Sequence, residues 1–286
     1  MCLILLAIDQ HPDYPWIIAA NRDEFRQRPT APLAWWSDHP QILAGRDLTA
    51  GGTWMGVTRQ GRFAAVTNYR DARCVYPRGP SRGALVSGFL TGMMAPAAYL
   101  DRVAAQGQRY DGFNLVLGDI DSGLFYYCNR GCSSYRGCSS DHASEAHSPL
   151  PPGIYGLSNH RLDTPWPKVV RGKRRLAQCL SAHGRAGEEA FTAALLEVLA
   201  DRTQPKDAEL PDTGVGLAWE RILAPLFINQ PHYGTRSCSV VWLDHRDHLR
   251  VVERTTVQPG HSDRQPVDRR FQFHVASTRD GTTPSP

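Results

Sequence analysis

The stretch CLILLAIDQHPDYPWIIAANRDEF, residues 2–25, decides the fold. Two apolar, β-compatible runs, CLILLAID and WIIAANRDEF, flank QHPDYP, a polar segment broken by prolines. Runs of this kind around such a break predict an antiparallel hairpin. Pairing the runs brings their far ends together, so Cys2 comes to lie beside Asn21, Arg22 and Asp23. Four polar residues abutting WIIAA are unsuited to a core. Arg22 would lower the pKa of a neighbouring thiol, and Asp23 would hold a neighbouring α-amine. Two readings of Cys2 stay open on this evidence. It is a small buried strand residue, or, once Met1 is trimmed, it carries both a thiol nucleophile and an α-amine with a pKa of about 7.7–8.0, suited to act as its base.

Working outward, the same punctuation recurs. GTWMGVTRQGRFAAVTNYRD turns at RQGR, GFNLVLGDIDSGLFYYCN at DIDSG, and SCSVVWLDHRDHLRVVERTT at HRDH. Helices are predicted between these hairpins. In GEEAFTAALLEVLADR, Phe191, Leu195, Val198 and Leu199 share a face, and Glu188 and Glu189 occupy the first turn, where the helix dipole favours negative charge. PWPKVVRGKRRLAQCLSAHG begins with prolines and ends with glycine. SRGALVSGFLTG and APAAYLDRVAAQG are shorter candidates. Strand pairs followed by helix pairs give an α+β layered class. Residues 129–153 and 203–216 read as loops, residues 1–275 as one domain, and 276–286 as a flexible C-terminal tail.

Composition bounds the function. The chain has 286 residues, 41% hydrophobic and 21% charged, with a formal net charge of +4. That charge is too small to argue for nucleic acid. No apolar run approaches the roughly 20 residues of a membrane-spanning helix, and LILLAI lacks the basic segment that precedes a secretory leader. Cytoplasm is the expected location. The seven cysteines are irregularly spaced, which argues against a disulfide framework. Oligomeric state is not legible.

Other polar residues end strands. Asn68 in AVTNYRD and Asn159 in YGLSNH are turn residues or donors to an oxyanion. Arg236 in YGTRSCSVVWLD forms a surface ion pair or a fork for carboxylate or phosphate. Cys128, Cys132, Cys138, His142 and His147 lack the paired spacing of a zinc site, and His245 and His248 belong to a hairpin turn. KVVRGKRR reads as a solvated basic face, with attraction of an anionic ligand as the alternative. Trp35 and Trp36, in a proline-rich loop, are candidates to wall an apolar pocket.

Taken in order, MC at the start, ANRDEF, AGRDLTAGGTWMGV, VTNYRD, SRGALV, FNLVLGD, YGLSN with DTPWPKV, and YGTRSCSVVWLD resemble the NRDE-motif family, also called the transport and Golgi organisation protein 2 family. The stretches run from Met1 to about Arg254. The family is in turn similar to cysteine-type N-terminal nucleophile hydrolases. That resemblance implies a four-layer αββα sandwich of two antiparallel sheets. It places Cys2 at the nucleophile's position and Arg22 and Asp23 at the end of the second strand. In the bile-salt hydrolase and penicillin V acylase branch the corresponding Arg and Asp are separated, whereas here they are adjacent. Asn68 and Asn159 match two asparagines of that branch, the first of which builds its oxyanion hole, and Arg236 matches a later arginine. The implied activity is hydrolysis of an amide or thioester of a small-molecule acyl substrate, with no cofactor required. The alternative is a non-catalytic protein that binds or handles haem or acyl-CoA in the same cleft, since the family is connected with haem handling and lipid metabolism.

Overall fold

The computed structural model describes residues 2–73, 79–130, 147–183, 187–256 and 265–275. The opening hairpin forms as its punctuation predicts. β1 (Cys2–Ile8) pairs antiparallel with β2 (Trp16–Phe25), Cys2 opposite Arg22 and Ile8 opposite Trp16. β1 is buried on both faces, which explains why it is apolar without alternation.

Ten further strands complete two six-stranded antiparallel sheets. The second sheet is a meander in chain order. It comprises β3 (Thr30–Trp35), β4 (Ile42–Asp47), β5 (Met55–Thr58), β6 (Arg62–Asn68), β7 (Phe113–Asp119) and β8 (Gly123–Cys128). The first sheet is assembled from distant parts of the chain. β9 (Gly153–Leu157) flanks β1, while β10 (Tyr233–Leu243), β11 (His248–Thr255) and β12 (Val267–His274) follow one another outward from β2. The predicted hairpins correspond to β5–β6, β7–β8 and β10–β11.

Side-chain parity separates the layers. Ile4, Leu6, Ile8, Ile18 and Ala20 of the first sheet meet Leu43, Met55, Val57, Phe63 and Val116 of the second in one core. The opposite face, with Leu3, Leu5, Ile17 and Ala19, packs under α3 (Pro167–His183) and α4 (Glu188–Leu199). On the second sheet's outer side lie α1 (Gly83–Thr91) and α2 (Pro96–Gln106), against Ala64, Val66, Leu115 and Leu117. The order is therefore helix, sheet, sheet, helix. At about 1.5–3 kcal/mol per fully buried aliphatic side chain, these three cores are what make the layering stable. α3 approaches its sheet closely because two glycines allow it. A Cβ on Gly156 would stand 2.7 Å from Val169, and one on Gly172 would stand 2.9 Å from Leu5.

The short helix α5 (Leu217–Leu223) and strands β3, β4, β9 and β12 are additions to the sequence expectation. Of the expected loops, 203–216 is irregular apart from a 3-10 turn at Asp207–Glu209. The expected tail at 276–286 and residues 131–146 lie outside the described residues. No helix among the described residues is long and apolar enough to cross a membrane.

Candidate active site

The four letters of Asn-Arg-Asp-Glu divide between the two faces of β2, because neighbours on a strand point oppositely. Arg22 shares the inter-sheet face with its partner Cys2, and Asp23 turns toward the helices. The adjacent Arg22 and Asp23 thus occupy two separate environments. Asn21, fully buried, also faces the helices, where its amide donates to the carbonyls of Leu199 (2.9 Å) and Leu226 (2.8 Å). It ties β2 to the last residue of α4, satisfying a carbonyl that the helix itself leaves open.

Cys2 is 8% exposed. Burial pushes its thiol up, and the Asp23 charge adds to this, while the charge of the amino terminus, then Arg22 and the Asp23 backbone N–H, oppose it. The sulfur is therefore protonated at neutral pH and needs a base at the moment of attack.

Asp23 accepts a hydrogen bond from the Thr235 hydroxyl (2.7 Å) and lies 3.9 Å from Nζ of Lys168 on α3. Burial raises the Asp23 carboxyl, and Lys168 is the largest opposing influence. Burial lowers Lys168, and Asp23 is what most restrains that fall. Lys168 also donates to the Leu223 carbonyl (3.0 Å). A second buried pair, Arg70–Glu220 at 2.8 Å, lies close enough to influence Lys168. Arg70 in turn donates its backbone N–H to the Asn159 carbonyl (2.7 Å).

Cys2, Arg22, Asp23, Asn68 and Arg236 all line one cleft of about 840 Å³. Asn68 ends β6, and its side-chain amide makes no hydrogen bond to the described residues. Asn159 does not line the cleft. It is fully buried, and its amide donates to the Asn68 carbonyl (3.0 Å). Ser158 bonds both the Asn159 amide oxygen (3.2 Å) and the Cys2 carbonyl (3.3 Å). Asn159 is thus placed to fix Asn68 against the β1 end rather than to meet a ligand. Arg236 is the extra residue of a β-bulge, since Thr235 pairs with Asp23 and Ser237 with Arg22. Bulges re-aim side chains in this way.

Sequence reasoning missed three cleft or near-cleft groups. Lys168 had a legible signal, because it stands on the apolar stripe of α3 with Gly172, Leu176 and Cys179. Arg82 immediately precedes α1, and Ser81, Arg82 and Gly83 open onto the cleft. Glu253, buried on β11, accepts the Leu33 backbone N–H (2.8 Å), and burial raises its carboxyl. The wall tryptophan is Trp54, not Trp35 or Trp36. Trp36 is buried and donates to Ala44, and Trp35 packs on Phe271 and Phe273. The basic run on α3 is largely ion-paired, through Arg171 and Arg175 to Asp201 and Lys173 to Asp163. Among the described residues no group of three or more His, Cys, Asp or Glu is arranged to hold a metal, and Cys132, Cys138 and His142 lie outside them.

A family profile described as Transport and Golgi organisation 2 matches residues 1–258. The Transport and Golgi organization protein 2 homolog of Bos taurus is 34% identical over 273 residues, covering 89% of this chain and 93% of that protein. The Homo sapiens homolog is 32% identical over 295 residues, covering 97% and 100%. Among solved structures, a mutant conjugated bile acid hydrolase from Clostridium perfringens aligns over 96% of both chains, with a TM-score of 0.42 and 8% identity. A Caenorhabditis elegans N-acylethanolamine-hydrolyzing acid amidase ortholog aligns over 84% of this chain and 92% of its own, with a TM-score of 0.36 and 12% identity.

Proposed function

The chain belongs to the Transport and Golgi organisation 2 family, and on that premise we propose that it hydrolyses an amide or thioester through Cys2 after removal of Met1. The observation that carries this reading is the juxtaposition in one cleft of the Cys2 thiol, Arg22 and the unengaged amide of Asn68. In the proposed cycle the Cys2 α-amine takes the thiol proton as sulfur attacks the carbonyl carbon. Asn68 donates to the oxyanion, with Asn159 holding Asn68 in place. Collapse breaks the C–N or C–S bond, and the ammonium returns the proton to the leaving group. Water then attacks the acyl-Cys2 with the amine again as base, restoring the thiol. Arg22 supports the developing thiolate, and Asp23, whose charged form Lys168 favours against the effect of burial, steadies the ammonium. Losing one oxyanion donor costs on the order of 10²–10³ in turnover, so Asn68→Ala should fall by that factor. Thioester and amide substrates assayed with wild type and Cys2→Ala test the reading, and equal turnover by both would end it.

A second reading is binding without turnover, favoured by the burial that keeps the Cys2 thiol protonated. An acyl-CoA binder would retain affinity in Cys2→Ala while wild type forms no acyl adduct. Haem ligated at iron fits the cleft poorly. Among the described residues no histidine or methionine lines it, and burial pushes the Cys2 thiol there toward its protonated form. A haem titration without a Soret shift is the expected result.

A further inference from the structure

Three arginines reach the cleft from three separate elements: Arg22 on β2, Arg82 at the start of α1 and Arg236 at the β10 bulge. Each commits a single nitrogen, and only to neutral oxygens. Arg22 donates to the Thr30 hydroxyl (3.1 Å) and Arg82 to the Gly112 carbonyl (3.2 Å). Arg236 donates to the carbonyls of Phe25, Arg26 and Arg28 (2.9, 3.0 and 3.0 Å). A guanidinium has five N–H donors, so most of this capacity is unspent. Among the described residues none of the three lies within 4 Å of a carboxylate. Of the other cleft arginines, Arg28 pairs with Asp47 (2.7 Å) and Arg46 with Asp38 (2.7 Å), while Arg269 on β12 donates to the Leu33 carbonyl (3.5 Å) and stands as a fourth cation at the cleft wall.

The cleft's acids offset the three only from beyond ion-pair distance. Asp47 is taken by Arg28, and Glu24, 3.9 Å from Arg28, also acts on Arg82 and Arg236 at longer range. Asp23 faces Lys168, and burial drives Glu253 toward its neutral form. Asp111 acts on Arg82 only at longer range. Burial pushes both Arg82 and Arg236 down, and the Arg22 charge pushes Arg236 further. Like charges desolvated side by side without a counter-ion cost free energy, whereas one planar anion would satisfy several forks at once. The α1 N-terminus, which opens onto the same space, adds favourable field for negative charge.

We infer that the ligand of this cleft carries a phosphate or carboxylate group, held by Arg22, Arg82 and Arg236. The substrate class becomes an anionic amide or thioester, a statement that rests on the hydrolase reading for its scissile bond alone.

The test is calorimetric titration of inorganic pyrophosphate and, separately, glutarate into wild type, Arg82→Gln, Arg236→Gln and the control Arg46→Gln. Circular dichroism establishes that each variant is folded, and if one arginine variant fails to fold, the other carries the test. Saturable binding of at least one probe with Kd at or below about 1 mM is expected. Arg82→Gln and Arg236→Gln should each weaken it tenfold or more, with Arg46→Gln within twofold of wild type. Pyrophosphate winning assigns phosphate, and glutarate winning assigns carboxylate. Absence of binding by both probes, or equal binding by Arg82→Gln, Arg236→Gln and Arg46→Gln, overturns the inference. Anion binding without any acyl adduct on Cys2 would instead remove the hydrolase reading and leave the anion site standing.

Discussion

Replacing Asn21 with alanine separates the part of the Asn-Arg-Asp-Glu motif that holds the fold from the part that serves the cleft. The Asn21 amide donates to two carbonyls, Leu199 at 2.9 Å and Leu226 at 2.8 Å, in a fully buried position. Each carbonyl left dry and unpaired by the truncation costs about 1–3 kcal/mol, or about 4 kcal/mol for the two at mid-range. The Asn21 amide oxygen is itself buried without a partner among the described residues, so its removal gives some of this back. The balance is about 2–3 kcal/mol. Arg22→Ala removes one hydrogen bond, to Thr30, and relieves the repulsion with Arg236, so its cost is about 1 kcal/mol or less. Urea unfolding followed by circular dichroism measures both, the difference appearing as a lower midpoint at unchanged slope. An Asn21→Ala loss under about 1 kcal/mol, or an equal loss in Arg22→Ala, would refute this division. Equal losses would make the whole motif a folding device.

Lys168→Met leaves Asp23 buried opposite no ammonium, and removing one partner of a buried pair costs about 3 kcal/mol or more at neutral pH. Because burial holds the folded Asp23 pKa above its unfolded value, the folded state binds more protons between the two values, and stability falls as pH rises through that window. Losing Lys168 lifts the window's upper edge, so the deficit measured by urea midpoint should be larger at pH 8 than at pH 5, and a pH-independent deficit would contradict it. Gly52→Ala places a Cβ 2.9 Å from the Gly83 backbone, which should shift the start of α1 at a cost of about 1–3 kcal/mol. Pyrophosphate affinity should fall with it, and unchanged affinity in titration would count against the role of α1. Iodoacetamide should label Cys2 slowly at pH 7 and faster with rising pH, its thiol being pushed up by burial. Cys179 and Cys238, packed in the core away from the cleft that Cys2 lines, should lag behind it in peptide mass spectra.

The opening hairpin was legible because two apolar runs and a proline-marked break admit one antiparallel pairing, and that pairing alone brings Cys2 to Arg22. The helices were legible from spacing and end residues. Long-range strand order was not. Nothing local tells β9 to flank β1 or β10 to flank β2. β3 is an edge strand whose register slips between Ala31 and Ala34, around Pro32, and β12 is a half-exposed edge with weak apolar signal. Within the site, Cys2, Arg22, Asp23, Asn68 and Arg236 were found as strand-end polar residues. Asn159 stands apart from the cleft with its amide committed to the Asn68 carbonyl, a contact that sequence spacing does not encode. Lys168 was obscured by the basic run that follows it, although its neighbours on the helix stripe are apolar.

The central claim concerns one sulfur beside its own amine. Intact-mass and peptide mass spectrometry of the purified protein, before and after exposure to an acyl thioester, tests it directly. The account predicts a chain lacking Met1 that gains one acyl group, located on the peptide beginning at Cys2 and absent in Cys2→Ala. A retained Met1, or an adduct that persists in Cys2→Ala, would contradict it.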